Sequence, residues 1–180
     1  MLAGLSQAAE GALTIRVFDY INVPQGLEKA SGAARELFAR ADIGTEWRIC
    51  RANSREGACE EITPKQILVK IVQRPWPNYH KRGAYGAVIR DGDVNVAAYI
   101  FYERLAEDAE VLHLSPEVLL ANVMAHEVGH MMGLEHTSDG LMSRQFGRME
   151  LRRAAQGALS FSAVDERRLQ AALYVKKTQP

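Results

Sequence analysis

The chain has 180 residues, the size of one ordinary domain, and its 47% hydrophobic and 24% charged residues are typical of a folded protein rather than a disordered one. Its 22 basic and 22 acidic residues give a formal net charge of zero, which excludes the basic footprint of a nucleic-acid-binding or anionic-membrane-binding protein. The longest apolar run, residues 96–102, is too short to cross a bilayer, and residues 1–10 lack the pattern of a signal peptide. We therefore expect one domain over residues 1–180, a monomer with no nucleic-acid or membrane partner.

Five segments rich in β-branched and aromatic side chains predict strands, and the first two are separated by an amphipathic helix. We expect that helix to begin at Pro24, to carry apolar side chains on one face up to Ala41 and to end by Gly44. A strand–helix–strand order implies parallel pairing, whereas the Asp-Gly turn at 91–93 makes the last two strands antiparallel. We expect that turn to be a plain hairpin turn without calcium. The predicted strands are 14–20, 45–50, 66–73, 84–90 and 94–102.

Two further helices follow the strands in the predicted order of elements. Ser115 is a candidate N-cap and Pro116 a candidate first helical residue, so we expect a long helix up to about Met132. The last helix is predicted over residues 162–174, where a serine and an aspartate have capping-box spacing. The sequence thus predicts an α/β fold, a mixed sheet with helices behind it.

The long helix carries the residues with the clearest chemistry. Residues four apart lie on one face of a helix, so His126 and His130 direct two imidazoles toward one point, and neutral imidazole is a good Zn²⁺ ligand. Gly133 lets the chain leave the helix abruptly, which allows His136 to return as a third ligand. Glu127 follows the first ligand directly and is the candidate general base.

Paired histidines on a helix are usually surface residues or core residues without a metal. Here the close spacing of three histidines favours a zinc site instead. Three of the five histidines in the chain lie within eleven residues, with a glycine where the helix must end. Three protein ligands and one water are the pattern of a catalytic zinc site, because structural zinc sites use four protein ligands. We therefore expect one catalytic Zn²⁺.

The segment HEVGHMMGLEH resembles the HExxHxxGxxH signature of the metzincin zinc endopeptidases. Met142, six positions after His136, is similar to the methionine of the Met-turn that lies beneath the zinc in that family. The resemblance implies a small, matrixin-like catalytic domain: a mostly parallel five-stranded sheet with an antiparallel edge strand, an active-site helix, a Met-turn and a C-terminal helix. It also implies an N-terminal subdomain over residues 1–136 and a small C-terminal subdomain over residues 137–180.

Two further sets of residues are candidates for substrate contacts. The edge strand beside the cleft is expected to pair with an extended peptide through its backbone, at the residues Tyr85, Gly86, Ala87 and Val88. The segment after the Met-turn forms the wall of the S1′ pocket in relatives, which makes Arg144 and Arg148 candidate wall residues, although such a basic run is more often a solvated face. Arg144 also stands where astacins and serralysins have a tyrosine.

The expected function is hydrolysis of peptide bonds by a zinc-bound water that Glu127 activates. Two alternatives stay open: a zinc hydrolase that acts on a non-peptide amide, and a catalytically silent binding module with the same fold. Cys50 and Cys59 are close enough in sequence for one disulfide, or are two reduced thiols of a cytosolic chain. Because metzincin-like proteases mostly work outside the cytosol, the resemblance favours a secreted or periplasmic protein.

Overall fold

The computed structural model describes residues 12–24, 26–51, 59, 63, 66–79 and 83–178. The segment 1–10, whose sequence lacks the pattern of a signal peptide, lies outside the described residues. The five strands are β1 (Leu13–Asp19), β2 (Thr45–Arg51), β3 (Ile67–Val72), β4 (Gly86–Asp91) and β5 (Val94–Phe101). The five helices are α1 (Leu27–Ala39), α2 (Tyr102–Val111), α3 (Pro116–Met131), α4 (Arg148–Ala155) and α5 (Ala163–Thr178).

The strands form one sheet with the order β2-β1-β3-β5-β4. The pairs β1–β2, β1–β3 and β3–β5 are parallel, and only the edge pair β4–β5 is antiparallel. The prediction of a mixed, mostly parallel sheet with an antiparallel edge strand is therefore confirmed. The parallel pairs follow from connections long enough to cross over, while the two-residue Gly92-Asp93 turn between β4 and β5 forces their directions to oppose.

Helices α1 and α3 pack against each other and cover one face of the sheet. Helix α1 has a single apolar stripe, as its 3.6-residue periodicity predicts, with Leu27, Ala30, Ala34 and Phe38 fully buried. Helix α3 is apolar around nearly its whole circumference, and 12 of its 16 residues are buried. A helix of that composition lies in the interior of a domain. Helix α3 packs against β5 and β4, so its histidines lie near that edge of the sheet.

The helix starts differ from expectation in two places. Helix α1 begins at Leu27 after Gly26, whose φ of 92° lies in the left-handed region, so the prediction that Pro24 starts the helix is wrong. Ser115 precedes α3 as predicted, but its hydroxyl binds the Glu117 carboxylate instead of capping the helix backbone.

The capping box before α5 is confirmed. The Asp165 N–H donates to Ser162 Oγ at 3.2 Å, and the Ser162 N–H donates back to Asp165 Oδ2 at 3.2 Å.

Two short helices are absent from the sequence-based prediction. Helix α2 follows β5 without a loop and buries only Leu105 and Ala109, too few apolar positions to establish a helical period. Helix α4 buries Leu151 and Ala154 and lies in the segment interpreted as a basic run. In both, charged residues outnumber the buried apolar ones, and packing against α3 stabilises them.

Two further features concern the chain as a whole. A disulfide joins Cys50 at the end of β2 to Cys59, with 5.7 Å between the Cα atoms. Within the described residues, none of the helices has the length and apolar content that a membrane span requires.

Candidate metal centre

Helix α3 and the segment after it bring three histidines to one point. His126 and His130 project from successive turns of α3, and Gly133, at a φ of 90°, ends the helix in a conformation that glycine adopts without strain. The chain then turns so that His136 joins the pair. The Nε2 atom of His130 lies 3.0 Å from Nε2 of His126 and 3.1 Å from Nε2 of His136.

Backbone carbonyl groups fix the tautomers of the first two histidines. The Nδ1 atom of His126 lies 2.7 Å from the Leu141 carbonyl oxygen, and Nδ1 of His130 lies 2.7 Å from the Leu134 carbonyl oxygen. A carbonyl oxygen only accepts, so each Nδ1 carries the proton and donates it. In a neutral ring of this tautomer, Nε2 carries the lone pair and is the atom free to bind a metal.

The charge state of His126 agrees with this arrangement. Burial, together with the neighbouring His130, lowers the pKa of His126 to about 3. His126 is therefore neutral at pH 7, which is the form that binds a metal.

The three histidines fit a zinc ion. Their ligand atoms form the one group of metal-ligating residues found within the part of the chain that the structure describes. Zinc binds imidazole nitrogen at about 2.0–2.1 Å, which sets about 3.3 Å between two ligand atoms in a tetrahedral site. The observed separations of 3.0 and 3.1 Å are close to that value. All-nitrogen ligation suits zinc better than calcium, which takes oxygen ligands.

Glu127 lies beside the three histidines and is almost fully buried, with 5% of its surface exposed. Its carboxylate lies against the backbone of Gly86 in β4, where a Cβ atom on the glycine would approach Glu127 Oε1 to 2.6 Å. Only glycine allows this strand to come so close to the carboxylate. Glu127 thus lines the same cleft as the histidines but is not one of the converging ligand atoms.

Met142 lies in the core, with none of its surface exposed. A Cβ atom on Gly129 of α3 would approach the Met142 sulfur to 2.8 Å, so glycine at that position admits the methionine side chain. The Thr137 N–H donates to the Met142 carbonyl at 2.9 Å, which holds the turn closed. Met142 therefore packs against α3 at the residue before His130.

A cleft of about 1240 Å³ runs over the three histidines. All four edge-strand candidates, Tyr85, Gly86, Ala87 and Val88, line it, and so does Arg144. The structure does not bring Arg148 to the cleft, because that residue begins α4 and is exposed there. The volume exceeds the roughly 300–1,000 Å³ of a small-molecule site, which suits an extended substrate.

Sequence reasoning missed two residues that line the cleft, Tyr79 and Arg104, which come from segments distant in sequence. It also missed Asn95 of β5, which donates from Nδ2 to the carbonyl oxygens of His130 at 3.0 Å and Met131 at 3.4 Å. This contact ties the β4–β5 hairpin to the end of α3, where helix carbonyls lack helical partners. None of the three belongs to a motif that the sequence displays.

No protein-family model matches this chain, and no curated protein sequence matches it either. Its fold is similar to the crystal structure of archaemetzincin from Methanopyrus kandleri, with 16% sequence identity and a TM-score of 0.65, over 94% of this chain and 99% of that one. A solution structure of a Thermotoga maritima protein aligns over 92% of this chain and 93% of that one, with 12% identity and a TM-score of 0.37, too low to support a conclusion. The first similarity shows a shared fold.

Proposed function

We propose that the chain is a zinc-dependent endopeptidase whose ligands are His126, His130 and His136. The observation that carries this proposal is the convergence of the three Nε2 atoms, two of which belong to rings whose Nδ1 protons are donated to backbone carbonyls. The fold shared with archaemetzincin supports the same function. Zinc held there would act as a Lewis acid that lowers the pKa of a water molecule and polarises the scissile carbonyl.

Glu127 is the general base in this proposal. Its carboxylate lies in the cleft beside the ligands, where it takes a proton from the attacking water and later gives that proton to the leaving amine. The helix and Gly86 hold it from two sides, so its position is set before the substrate arrives. Glu127 therefore has to move little during the reaction.

The free edge of β4 is the proposed binding surface for the peptide backbone. The Phe101 N–H donates to the Tyr85 carbonyl at 2.8 Å, so Tyr85 is at a hydrogen-bonded position of the β4–β5 pair. Hydrogen-bonded and non-bonded positions alternate in an antiparallel pair, which turns the peptide groups of Gly86 and Val88 toward the free edge. An extended substrate pairs with such an edge as an additional strand.

The test combines metal analysis with a peptide-library screen of the purified full chain. We expect about one Zn²⁺ per chain and cleavage of internal peptide bonds. Glu127→Gln should retain zinc but lose about 10²- to 10⁴-fold in rate, the usual contribution of general acid–base catalysis. Glu135→Gln is the matched control, because Glu135 lines the same cleft, is exposed and neighbours a ligand.

Two results would contradict the proposal. Equal cleavage rates in Glu127→Gln and the parent would remove Glu127 from the mechanism. A zinc-loaded parent that leaves every peptide intact but hydrolyses a non-peptide amide would favour the alternative hydrolase.

We also propose that the protein is exported to a secreted or periplasmic location. The disulfide between Cys50 and Cys59 supports this, because such bonds persist in oxidising compartments and are rare in the cytosol. Intact mass after alkylation, with and without reductant, tests it on protein from its native source. Alkylation of both cysteines without reductant would argue for a cytosolic location.

A further inference from the structure

Tyr79 brings a phenol into the cleft from a part of the chain unrelated to the metal-binding segment. It lies in the connection between β3 and β4, and lines the same cavity as His126 and Glu127. Its side chain is partly buried. The function proposed above assigns it no role.

Aromatic contacts hold the ring of Tyr79 in place. Its centroid lies 5.0 Å from that of Trp76 and 5.2 Å from that of Phe101, both in edge-to-face geometry. The start of the connection is anchored by an ion pair between Arg74 and Glu103 of α2. The phenol is therefore held by the sheet and by α2 and not only by its own loop.

The hydroxyl of Tyr79 and the carboxylate of Glu127 both lie against Gly86. The Tyr79 hydroxyl donates to the Gly86 carbonyl at 3.3 Å, a long hydrogen bond, and this carbonyl faces the free edge of β4. A Cβ atom on the same glycine would lie only 2.6 Å from Glu127 Oε1, so the carboxylate occupies the space beside the Gly86 backbone. The phenol is thus at the edge that an extended substrate would occupy, beside the general base.

Electrostatics keeps this phenol protonated. Burial raises the pKa of Tyr79, and the negative charge of Glu127 raises it further. At neutral pH the side chain is therefore an O–H donor. Because its present acceptor is a neutral carbonyl at long distance, a closer and more negative acceptor would bind it more strongly.

We propose that Tyr79 is a further catalytic residue that donates its O–H to the carbonyl oxygen of the scissile amide as that oxygen gains negative charge. The tyrosine proton stays on the phenol throughout, and Glu127 alone transfers a proton from the water to the amine. A substrate strand that takes over the Gly86 carbonyl leaves the phenol free to turn to this oxygen. The proposal rests on the proposed peptidase function.

The test compares Tyr79→Phe with Tyr99→Phe in the zinc-loaded full chain. Tyr99 is the matched control, because its ring also packs on Trp76, at 5.6 Å, while its hydroxyl lies 3.4 Å from Lys70 Nζ. We expect Tyr79→Phe to lower kcat by about 10²-fold, the usual effect of removing one oxyanion donor, with KM changed less than about threefold. Tyr99→Phe should match the parent in both constants and in zinc content. A Tyr79→Phe variant with the kcat of the parent would overturn the proposal.

A second measurement separates this proposal from the peptidase function. A phosphonate peptide carries a tetrahedral, negatively charged group, so its affinity reports the oxyanion contact without any turnover. We expect Tyr79→Phe to weaken phosphonate binding by about 10-fold or more, as for a hydrogen bond to a charged group, and Tyr99→Phe to leave it unchanged.

Each outcome of the phosphonate experiment decides between the two proposals. If the parent cleaves no peptide and Tyr79→Phe still binds the phosphonate more weakly than the parent does, the peptidase function fails but the contact of the Tyr79 hydroxyl with a tetrahedral oxyanion stands. Equal affinity in parent and variant would overturn the role of Tyr79 even if the parent is an active peptidase. A parent that neither cleaves peptides nor binds the phosphonate would overturn both.

Discussion

The two walls of the cleft differ in burial and in the sequence distance of their contacts. The helix wall, α3 with residues 133–143, buries His126 and Glu127, and the carbonyls that orient its histidines lie within 15 residues of them. The strand wall, β4 with Tyr79 and residues 83–85, is half-buried to exposed, and its contacts come from β5, α2 and Trp76. The orientations of His126 and His130 are thus fixed by contacts close in sequence, whereas the strand wall depends on long-range packing.

Two contacts connect the walls and make the comparison testable. Gly86 of the strand wall touches the Glu127 carboxylate, and Asn95 binds the carbonyl of His130. If the walls have separate roles, substitutions of the histidines and of the residues packed against α3 in the helix wall change zinc affinity or folding stability. Those in the strand wall change catalysis while zinc stays bound.

The largest effect is expected for His136→Ala, which removes a proposed zinc ligand whose side chain is exposed. Zinc affinity should fall by more than about 10²-fold, because losing a partner that merely orients a ligand already costs about 10- to 100-fold. The unfolding free energy of the metal-free protein should change by less than about 0.5 kcal/mol, as at other exposed positions. Chelator competition and urea unfolding measure the two quantities.

His126→Ala is the variant to compare with His136→Ala, because His126 is only 8% exposed. It should lose zinc to a similar degree and also destabilise the metal-free protein. Normal zinc retention in His136→Ala would mean that His136 is no ligand.

Gly86→Ala should separate the two walls most directly. The added methyl group would meet Glu127 Oε1 at 2.6 Å and the Tyr99 carbonyl oxygen at 2.7 Å, so the strand or the carboxylate must move. Misplacement of a catalytic group by about 1 Å costs about 10²-fold, and we expect that loss in kcat with unchanged zinc content. Steady-state kinetics and metal analysis check this.

Gly32→Ala is the control for Gly86→Ala, because Gly32 has no close neighbour. A Cβ atom there has nothing within 4 Å, and alanine stabilises a helix interior by about 0.5–1 kcal/mol relative to glycine. We expect full activity in that variant. A fully active Gly86→Ala would break the assignment of the strand wall to catalysis.

Acidification should destabilise the metal-free helix wall. The unfolded chain binds a proton at His126 near the ordinary pKa of 6.5, whereas the folded protein does so only near pH 3. Between these values the unfolded state holds more protons, so this contribution to stability falls as the pH falls, by up to about 1.4 kcal/mol per pH unit. Urea unfolding with a chelator between pH 7.5 and 4 measures the slope.

His126→Asn isolates this effect, because an asparagine amide can donate to the Leu141 carbonyl but does not titrate in this range. Its stability should depend less steeply on pH than that of the parent. Identical slopes in the two proteins would show that His126 does not titrate as its burial implies.

The smallest effect is expected for Met142→Leu. Met142 is fully buried against Gly129 of α3, so a side chain of similar volume should cost less than about 1.5 kcal/mol of stability. Zinc content should be that of the parent by metal analysis. Zinc loss as severe as in His136→Ala would contradict a packing role for the methionine.

The sequence anticipated the strand directions well and the short helices poorly. Strand alternation, the Asp-Gly turn and the Ser162–Asp165 capping box are local signals, and each matches an observed element. Helices α2 and α4 carry weak local signals and form because α3 offers a surface to pack against. The prediction from Pro24 is wrong because Gly26, in the left-handed conformation, precedes α1, which begins at Leu27, three residues after Pro24.

For the site, the sequence by itself determined the ligand segment: helical spacing places His126 and His130 together, and Gly133 allows the return of His136. These relations are local, since they depend on a few residues of one helix and its exit. The sequence also indicated the edge strand beside the cleft, but only the tertiary structure decided its contacts: Gly86 lies against Glu127, Tyr79 reaches the cleft from another loop, and Asn95 binds the end of α3. Arg148 begins α4 and is not among the residues that line the cleft. Contacts between segments far apart in sequence have no period or spacing that a single sequence displays, and therefore these contacts had to be seen in the fold.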